Sequence, residues 1–367
     1  MTDKKINGLV RSFLNCLIPI GLAFLIGAIV ILAIGENPLE AYGILFKKSF
    51  FTPVGFQNTL HYAGPMILTG LAIAITFKAN VYNMGVEGSL LIGAFSAGIV
   101  GAFLTGLPSI PTKLICFAVA IVFGVAYALI AAFLKVKFRA DEMVVTMMMN
   151  YALAKVLEYL ATSVFRDSGS GYVCTPMVSD AAMFNRIFGK SRLTAFFFVV
   201  VLLLVIMYIV MKKSKLGYEV TAMGLNPEFA EATGMSVGKK IIIIMMISGA
   251  LAGMGGFVYS LTTANCTANG DVAGFGFLAL AVMIFGNWKP GNIAAASLLF
   301  GLFKCIAAAY SSIDINGDGV FMLAELGISS HLYRMLPYLV TLAVLAFTSK
   351  KSRAPKAEGI PYDKGSR

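Results

Sequence analysis

The stretch KLICFAVAIVFGVAYALIAAF, Lys113 to Phe133, carries no charge after its first residue. Basic residues follow at once: Lys135, Lys137 and Arg139. A helix needs about 20 predominantly apolar residues to cross the hydrocarbon core of a bilayer, because it rises only ~1.5 Å per residue. This stretch has that length and that composition. Similar apolar runs lie on either side, near 13–34, 58–76, 88–106, 143–163, 193–211, 241–261, 275–288, 292–310 and 332–348. The chain therefore reads as an all-α polytopic membrane protein with about ten transmembrane helices. The eighth run, 275–288, is short and flanked by glycine, which predicts a tilted, broken or re-entrant segment.

Composition agrees. Of 367 residues, 58% are hydrophobic and 13% charged, against about 25% charged in soluble domains. The net charge of +11 does not indicate a nucleic-acid partner, because the basic residues sit beside apolar runs. Cytoplasmic loops of membrane proteins collect Lys and Arg. With the N-terminus inside, 19 of the 29 basic residues fall on the inner side, 8 outside, and Lys155 and Lys304 within spans. This places both termini in the cytoplasm of a cell-membrane protein. The run from Phe13 to Ile34 exceeds the ~7–15 apolar residues of a secretory signal and reads as a retained first helix. Residues 1–349 form one membrane domain, and 350–367 a polar cytoplasmic tail. The five cysteines form no CxxC pair; a disulfide between Cys174 and Cys266, both in outer loops, remains open.

Polar groups inside spans are costly and tend to be functional. The densest group is NVYNMGVEG, residues 80–88, with Asn80, Asn83, Gly85, Glu87 and Gly88. Such a segment breaks a helix, and broken backbone at membrane depth is tolerated only against protein or water. It reads either as part of the translocation pathway or as an inner-surface loop beside Lys78. Thr146, Asn150 and Tyr151 place hydroxyl and amide groups in the fifth span. Asn150 can pair with a base edge or a sugar diol and Tyr151 can stack on a base; the alternative is hydrogen bonding between helices. Lys155 and Glu158, spaced i,i+3, are suited to an ion pair. Gly249 and Gly253 form a GxxxG pair that lets helices approach closely.

The longest inner loop is KKSKLGYEVTAMGLNPEFAEATGMSVGKK, residues 212–240. Asn226 is suited to an N-cap and Pro227 to a first helical turn. Glu228 and Glu231 favour the positive helix end. Gly234 supplies a left-handed stop. The loop thus predicts a short helix over 227–233, either a docking element or a plain connector.

These segments resemble a known family. MGLNPEFAEATGM resembles the coupling segment of ATP-binding-cassette (ABC) importer permeases, G-x-N-x-x-A-A-x-x-x-G, at Gly224, Asn226, Ala230 and Gly234, with Glu231 where a second Ala is usual. NMGVEGSLLIGAF (83–95) resembles the N-x-G-x-E-G signature of the nucleoside and simple-sugar branch, which is related to ribose and branched-chain amino acid permeases. DEMVVTMMMNY (141–151) and GFGFLALAVMIFGNWKPGN (274–292) resemble two further stretches of nucleoside-type permeases. The four lie in the family's order over most of the chain. The resemblance implies the transmembrane subunit of a bacterial ABC importer for a neutral nucleoside or simple sugar. It implies three protein partners: a cytoplasmic ATP-binding subunit, a second permease subunit and an extracytoplasmic substrate-binding protein. ATP and Mg would bind the ATPase, not this chain. Gly224, Asn226, Glu228, Ala230, Glu231 and Gly234 would then shape the ATPase contact.

The chain carries no ATPase motif of its own. Gly189-Lys190-Ser191 ends like a phosphate-binding loop, but Phe184 stands at the required first glycine. Asp314, Asn316, Asp318 and Glu325 fit the spacing of a calcium loop, without the usual packed helix pair beside it. Acidic turns of this kind are also common without metal. No catalytic constellation is present. The alternative class is an ion-coupled secondary transporter, but no inverted repeat is visible and acidic residues within spans are few.

Overall fold

The computed structural model describes residues 51–171, 173–187, 191–263 and 274–310, with a few isolated positions before residue 51. Among these residues the regular elements are helices, apart from one isolated bridge between Arg186 and Thr194. In chain order they are α1 Pro53–Lys78, α2 Val86–Phe103, α3 Ser109–Phe138, α4 Glu142–Tyr159, α5 Phe196–Lys213, α6 Lys215–Leu225, α7 Pro227–Ala232, α8 Val237–Thr263, α9 Phe275–Phe285 and α10 Pro290–Tyr310. A five-residue π turn, Leu160–Val164, extends α4.

Eight of the ten expected spans fall on α1 to α5 and α8 to α10. The two at 13–34 and 332–348 lie outside the described residues, as do the tail and the candidate calcium loop. Five helices, α1, α2, α3, α5 and α8, are long and apolar enough to cross a membrane. The short run at 275–288 forms only the 11 residues of α9, about 16 Å of helix, half of a bilayer's apolar thickness.

The boundaries follow local chemistry. The Asp141 carboxylate accepts the backbone N–H groups of Met143 and Val144 at 2.8 and 3.3 Å and starts α4. Arg139, at φ +56°, turns the chain out of α3. Lys135 and Lys137 sit in the last turn of α3, and Lys212 and Lys213 in the last turn of α5, where positive charge favours the helix dipole.

The described residues divide into two compact units. The larger spans Ala63–Ser297; the smaller includes the start of α1 up to Tyr62 and the end of α10 from Leu298. In the smaller, the Cys305 thiol lies 3.6 Å from the Gly55 carbonyl. In the larger, α8 is the central helix, packed along α3 on one side and α2 on the other. The contact is backbone to backbone. A Cβ on Gly249 would meet the Gly124 carbonyl oxygen at 2.5 Å, and one on Gly253 would strike the Ala120 carbonyl. On the α2 side a Cβ on Gly93 would meet the Gly253 Cα at 2.7 Å. The GxxxG pair therefore packs helices within this chain, against α3 and α2 together.

The thiols of Cys116, Cys174 and Cys305 are buried. Cys266, the other half of the disulfide left open above, lies outside the described residues.

Candidate functional site

Between α1 and α2 the chain leaves the helix for residues 79–85. This is the polar segment singled out from the sequence, and it is buried: Ala79, Val81, Tyr82 and Asn83 are each almost wholly covered. Nearly every backbone N–H in it has a partner, as buried amides require. Those of Ala79 and Val81 return to the Thr76 carbonyl and that of Asn80 to Phe77, all at 3.0 Å, with Asn80 at φ +60°. The next ones are caught by side chains.

Those side chains come from one face of α4. The Glu142 carboxylate accepts the Tyr82 N–H at 3.0 Å, the Thr146 hydroxyl accepts that of Met84 at 3.1 Å, and the Asn150 carbonyl oxygen accepts that of Gly88 at 3.0 Å. The spacing i, i+4, i+8 places all three on one stripe of a helix. Each carries a second bond. Glu142 pairs with Lys135 of α3, both buried. The Thr146 hydroxyl donates to the Glu142 carbonyl at 2.6 Å. Asn150 donates to the Met84 carbonyl at 2.9 Å and accepts from the Tyr127 hydroxyl at 2.8 Å. From the other side Asn83 donates to the Ser248 hydroxyl of α8 at 3.0 Å, while its own amide oxygen takes the Gly85 N–H. Gly88 lacks a side chain for a reason: a Cβ would strike the Tyr127 hydroxyl and lie 2.6 Å from the Asn150 oxygen.

The break follows α4 inward from Glu142 at its first turn. Asn150 stands eight residues into α4 and Ser248 eleven into α8, about 12 and 16 Å along their axes. It is a buried segment held between α4 and α8. At its far end the Glu87 carboxylate accepts the Gly276 N–H in the first turn of α9 at 2.6 Å, where a negative charge is favoured. A Cβ on Gly276 would meet the Glu87 Cα at 2.5 Å, so the glycine-rich start of α9 is a packing feature.

The residues assigned to the pathway from sequence therefore separate. Asn80, Asn83, Glu87, Thr146 and Asn150 all bond within the chain: Asn80 takes the Tyr82 hydroxyl at 3.1 Å. Thr146 and Asn150 make hydrogen bonds between chain segments. Tyr151 stands apart, 63% exposed on the opposite face of α4. With it lie Val144, Met148 and Tyr159, all exposed, and Lys155, which is 82% exposed and paired with Glu158 at 2.8 Å as its spacing suggests. Sequence reading missed Lys135, Tyr127, Glu142 and Ser248 as members of the network.

The segment between α5 and α8 holds two helices. The short one is α7, as expected: the Asn226 side chain accepts the Phe229 N–H at 3.0 Å, Pro227 opens the first turn, and Gly234 at φ +84° follows the end. The helix closes at Ala232, one residue before the expected end. The other, α6, was not foreseen. Ser214 caps it by accepting the Gly217 N–H at 3.2 Å, and Glu219 joins it to Lys240 of α8 at 2.5 Å. Val220, Met223 and Ala230 are buried; Tyr218, Leu225 and Phe229 are exposed, and so is Glu228. Glu231 is half-covered. Gly224 faces inward, against the Lys78 carbonyl at the end of α1.

Comparison with known proteins decides the family. Residues 55–345 match the model of the branched-chain amino acid transport system / permease component family. The chain belongs to this family. The permease is 32% identical over 371 residues to the nucleoside ABC transporter permease protein NupB of Lactococcus lactis subsp. cremoris (strain MG1363), covering 98% of this chain and 99% of that one. It is 34% identical to the guanosine ABC transporter permease protein NupP of Bacillus subtilis (strain 168), over 78% of this chain and 83% of that one. It is 28% identical to the glucose ABC transporter permease protein TsgB13 of Haloferax volcanii, over 93% and 88%. The permease is accordingly a membrane transport subunit of an ABC importer, not an enzyme and not an ion-coupled carrier.

Proposed function

We propose that this permease carries a neutral nucleoside inward across the cytoplasmic membrane. The observation that supports this most is its near full-length similarity to a nucleoside permease. The exposed face of α4, with Tyr151 and Tyr159 beside the Lys155–Glu158 pair, suits a ligand that combines an aromatic base with hydroxyl groups. Tyr151 is the pathway residue on this reading, while Asn80, Asn83, Glu87, Thr146 and Asn150 hold the backbone behind it in place.

The same reading assigns the motor. A separate cytoplasmic ATPase binds ATP and Mg and docks on the segment between α5 and α8, where Leu225, Phe229 and Glu228 face outward and Asn226, Ala230, Glu231 and Gly234 hold the shape of α7. A second permease subunit and an external substrate-binding protein complete the assembly. Both termini then lie in the cytoplasm, on the side where basic residues concentrate. The domain plan follows: 1–349 in the membrane, 350–367 as a cytoplasmic tail. The calcium reading of 314–325 stays a proposal of its own. It requires the intact protein to gain thermal stability in millimolar calcium and to lose that gain in Asp318→Ala.

The test is direct. The substrate-binding protein that works with this permease is screened against nucleosides, free bases and sugars, and the assembled importer is assayed for ATP-dependent uptake of the best ligand. Nucleoside binding and uptake are expected. Binding of glucose with indifference to nucleosides would reject the nucleoside assignment while leaving the importer intact.

A further inference from the structure

Gly224 and Leu225 are neighbours in the last turn of α6 that look opposite ways. Leu225 is 83% exposed. Gly224 lies on backbone: a Cβ there would strike the Lys78 carbonyl oxygen and come within 3.0 Å of its carbon and 3.4 Å of the Ala79 carbonyl carbon. No flexible side chain intervenes. Lys78 is the last residue of α1, and the turn that closes α1 begins at the next residue. From there the chain enters the break that Glu142, Thr146 and Asn150 fasten to α4.

Helix α6 is itself held firmly. Gly217 packs on the Val210 and Met211 carbonyls, Val220 and Met223 are buried, and Glu219 bonds Lys240. A force applied at Leu225 or at Phe229, one capped turn further on, is not absorbed within α6. It reaches the α1 terminus at Gly224, as it reaches α5 at Gly217 and α8 at Glu219.

We infer that Gly224 is the point at which movement of the docking segment enters the membrane domain, by direct contact of α6 with the α1 terminus and the α1–α2 break. The sequence motif groups Gly224 with the ATPase contact; its geometry makes it a relay behind that contact. This deepens the importer reading and rests on it. Any Cβ at 224 displaces α6 from the α1 turn while the side chains of the outward face stay the same.

The experiment uses the complete importer, with ATPase, second permease and binding protein, in proteoliposomes. Gly224→Ala is expected to keep the ATPase bound but to lower uptake per ATP hydrolysed by about tenfold, within the usual span of coupling energies. Leu225→Asp is expected to release the ATPase. Wild-type uptake per ATP in Gly224→Ala, or release of the ATPase by that variant, would overturn the relay. A second measurement needs no substitution. Hydrogen exchange of the wild-type importer is compared with and without a non-hydrolysable ATP analogue and magnesium. The amides of residues 79–84 should change protection together with those of 217–229. A response confined to 217–229 rejects the relay while sparing the docking reading. Silence in both rejects the docking reading and the relay with it.

Discussion

Asn150 and Tyr151 are adjacent, and the structure gives them opposite tasks. Replacing Asn150 with Ala strands the Gly88 N–H, the Met84 carbonyl and the Tyr127 hydroxyl in a buried site. Each stranded group costs about 1–3 kcal/mol, so Asn150→Ala should lower the melting temperature of the purified permease clearly. Tyr151→Ala removes an exposed ring and should leave the melting temperature within a degree or two, a surface effect, while nucleoside uptake falls. Equal destabilisation by the two would contradict the division. Glu142→Gln leaves Lys135 charged and buried, at a cost of roughly 3–5 kcal/mol. The pair Lys135→Met with Glu142→Gln removes the stranded charge and should recover much of that loss, a non-additivity read by a double-mutant cycle.

At the scale of elements, α4 presents one face to the protein and one away from it. Single cysteines at Tyr151 and Lys155, in a background free of other cysteines, should react with a water-soluble, membrane-impermeant thiol reagent, and a nucleoside should slow the reaction. A cysteine at Val205, exposed on the apolar stretch of α5 before its terminal lysines, should stay unreactive because lipid covers it. Helix α7 gives the matching test of docking. Gly234 needs a positive φ that proline cannot adopt, and Glu228 faces outward. Glu228→Lys combined with Gly234→Pro should uncouple ATP hydrolysis from uptake without loss of membrane insertion; normal uptake would remove α7 from the docking role. These elements were unevenly legible in the sequence. Apolar length gave the spans and side-chain chemistry gave α7, because both signals are local. Helix α6 had a cap in Ser214 that could have revealed it, but Gly217 and Gly224 disguised it as loop. The stripe Glu142, Thr146, Asn150 was visible at helical spacing. What it bonds lies about 60 residues away, and no local pattern records a partner at that distance.

At the scale of the molecule, the family assignment makes the chain one part of a machine. Uptake should vanish when the phosphate-binding lysine of the partner ATPase is changed, with this permease still in the membrane; persistence of uptake on an ion gradient alone would contradict the assignment. Within the chain, the glycine seams that join α8 to α2 and α3 have a consequence for variation. In most proteins the positions least tolerant of change are large buried side chains, because truncating them leaves a cavity. Here backbone lies on backbone, so the strictest positions are those where nothing can be truncated. A saturation library of this permease, selected for uptake, should be emptiest at Gly93, Gly124, Gly249 and Gly253, where even alanine collides. Phe257 and Phe300, although fully buried, should accept other large apolar residues. The core of the larger unit is thus written in its smallest letters, and drift over evolutionary time should reshape its outer surfaces long before it touches them.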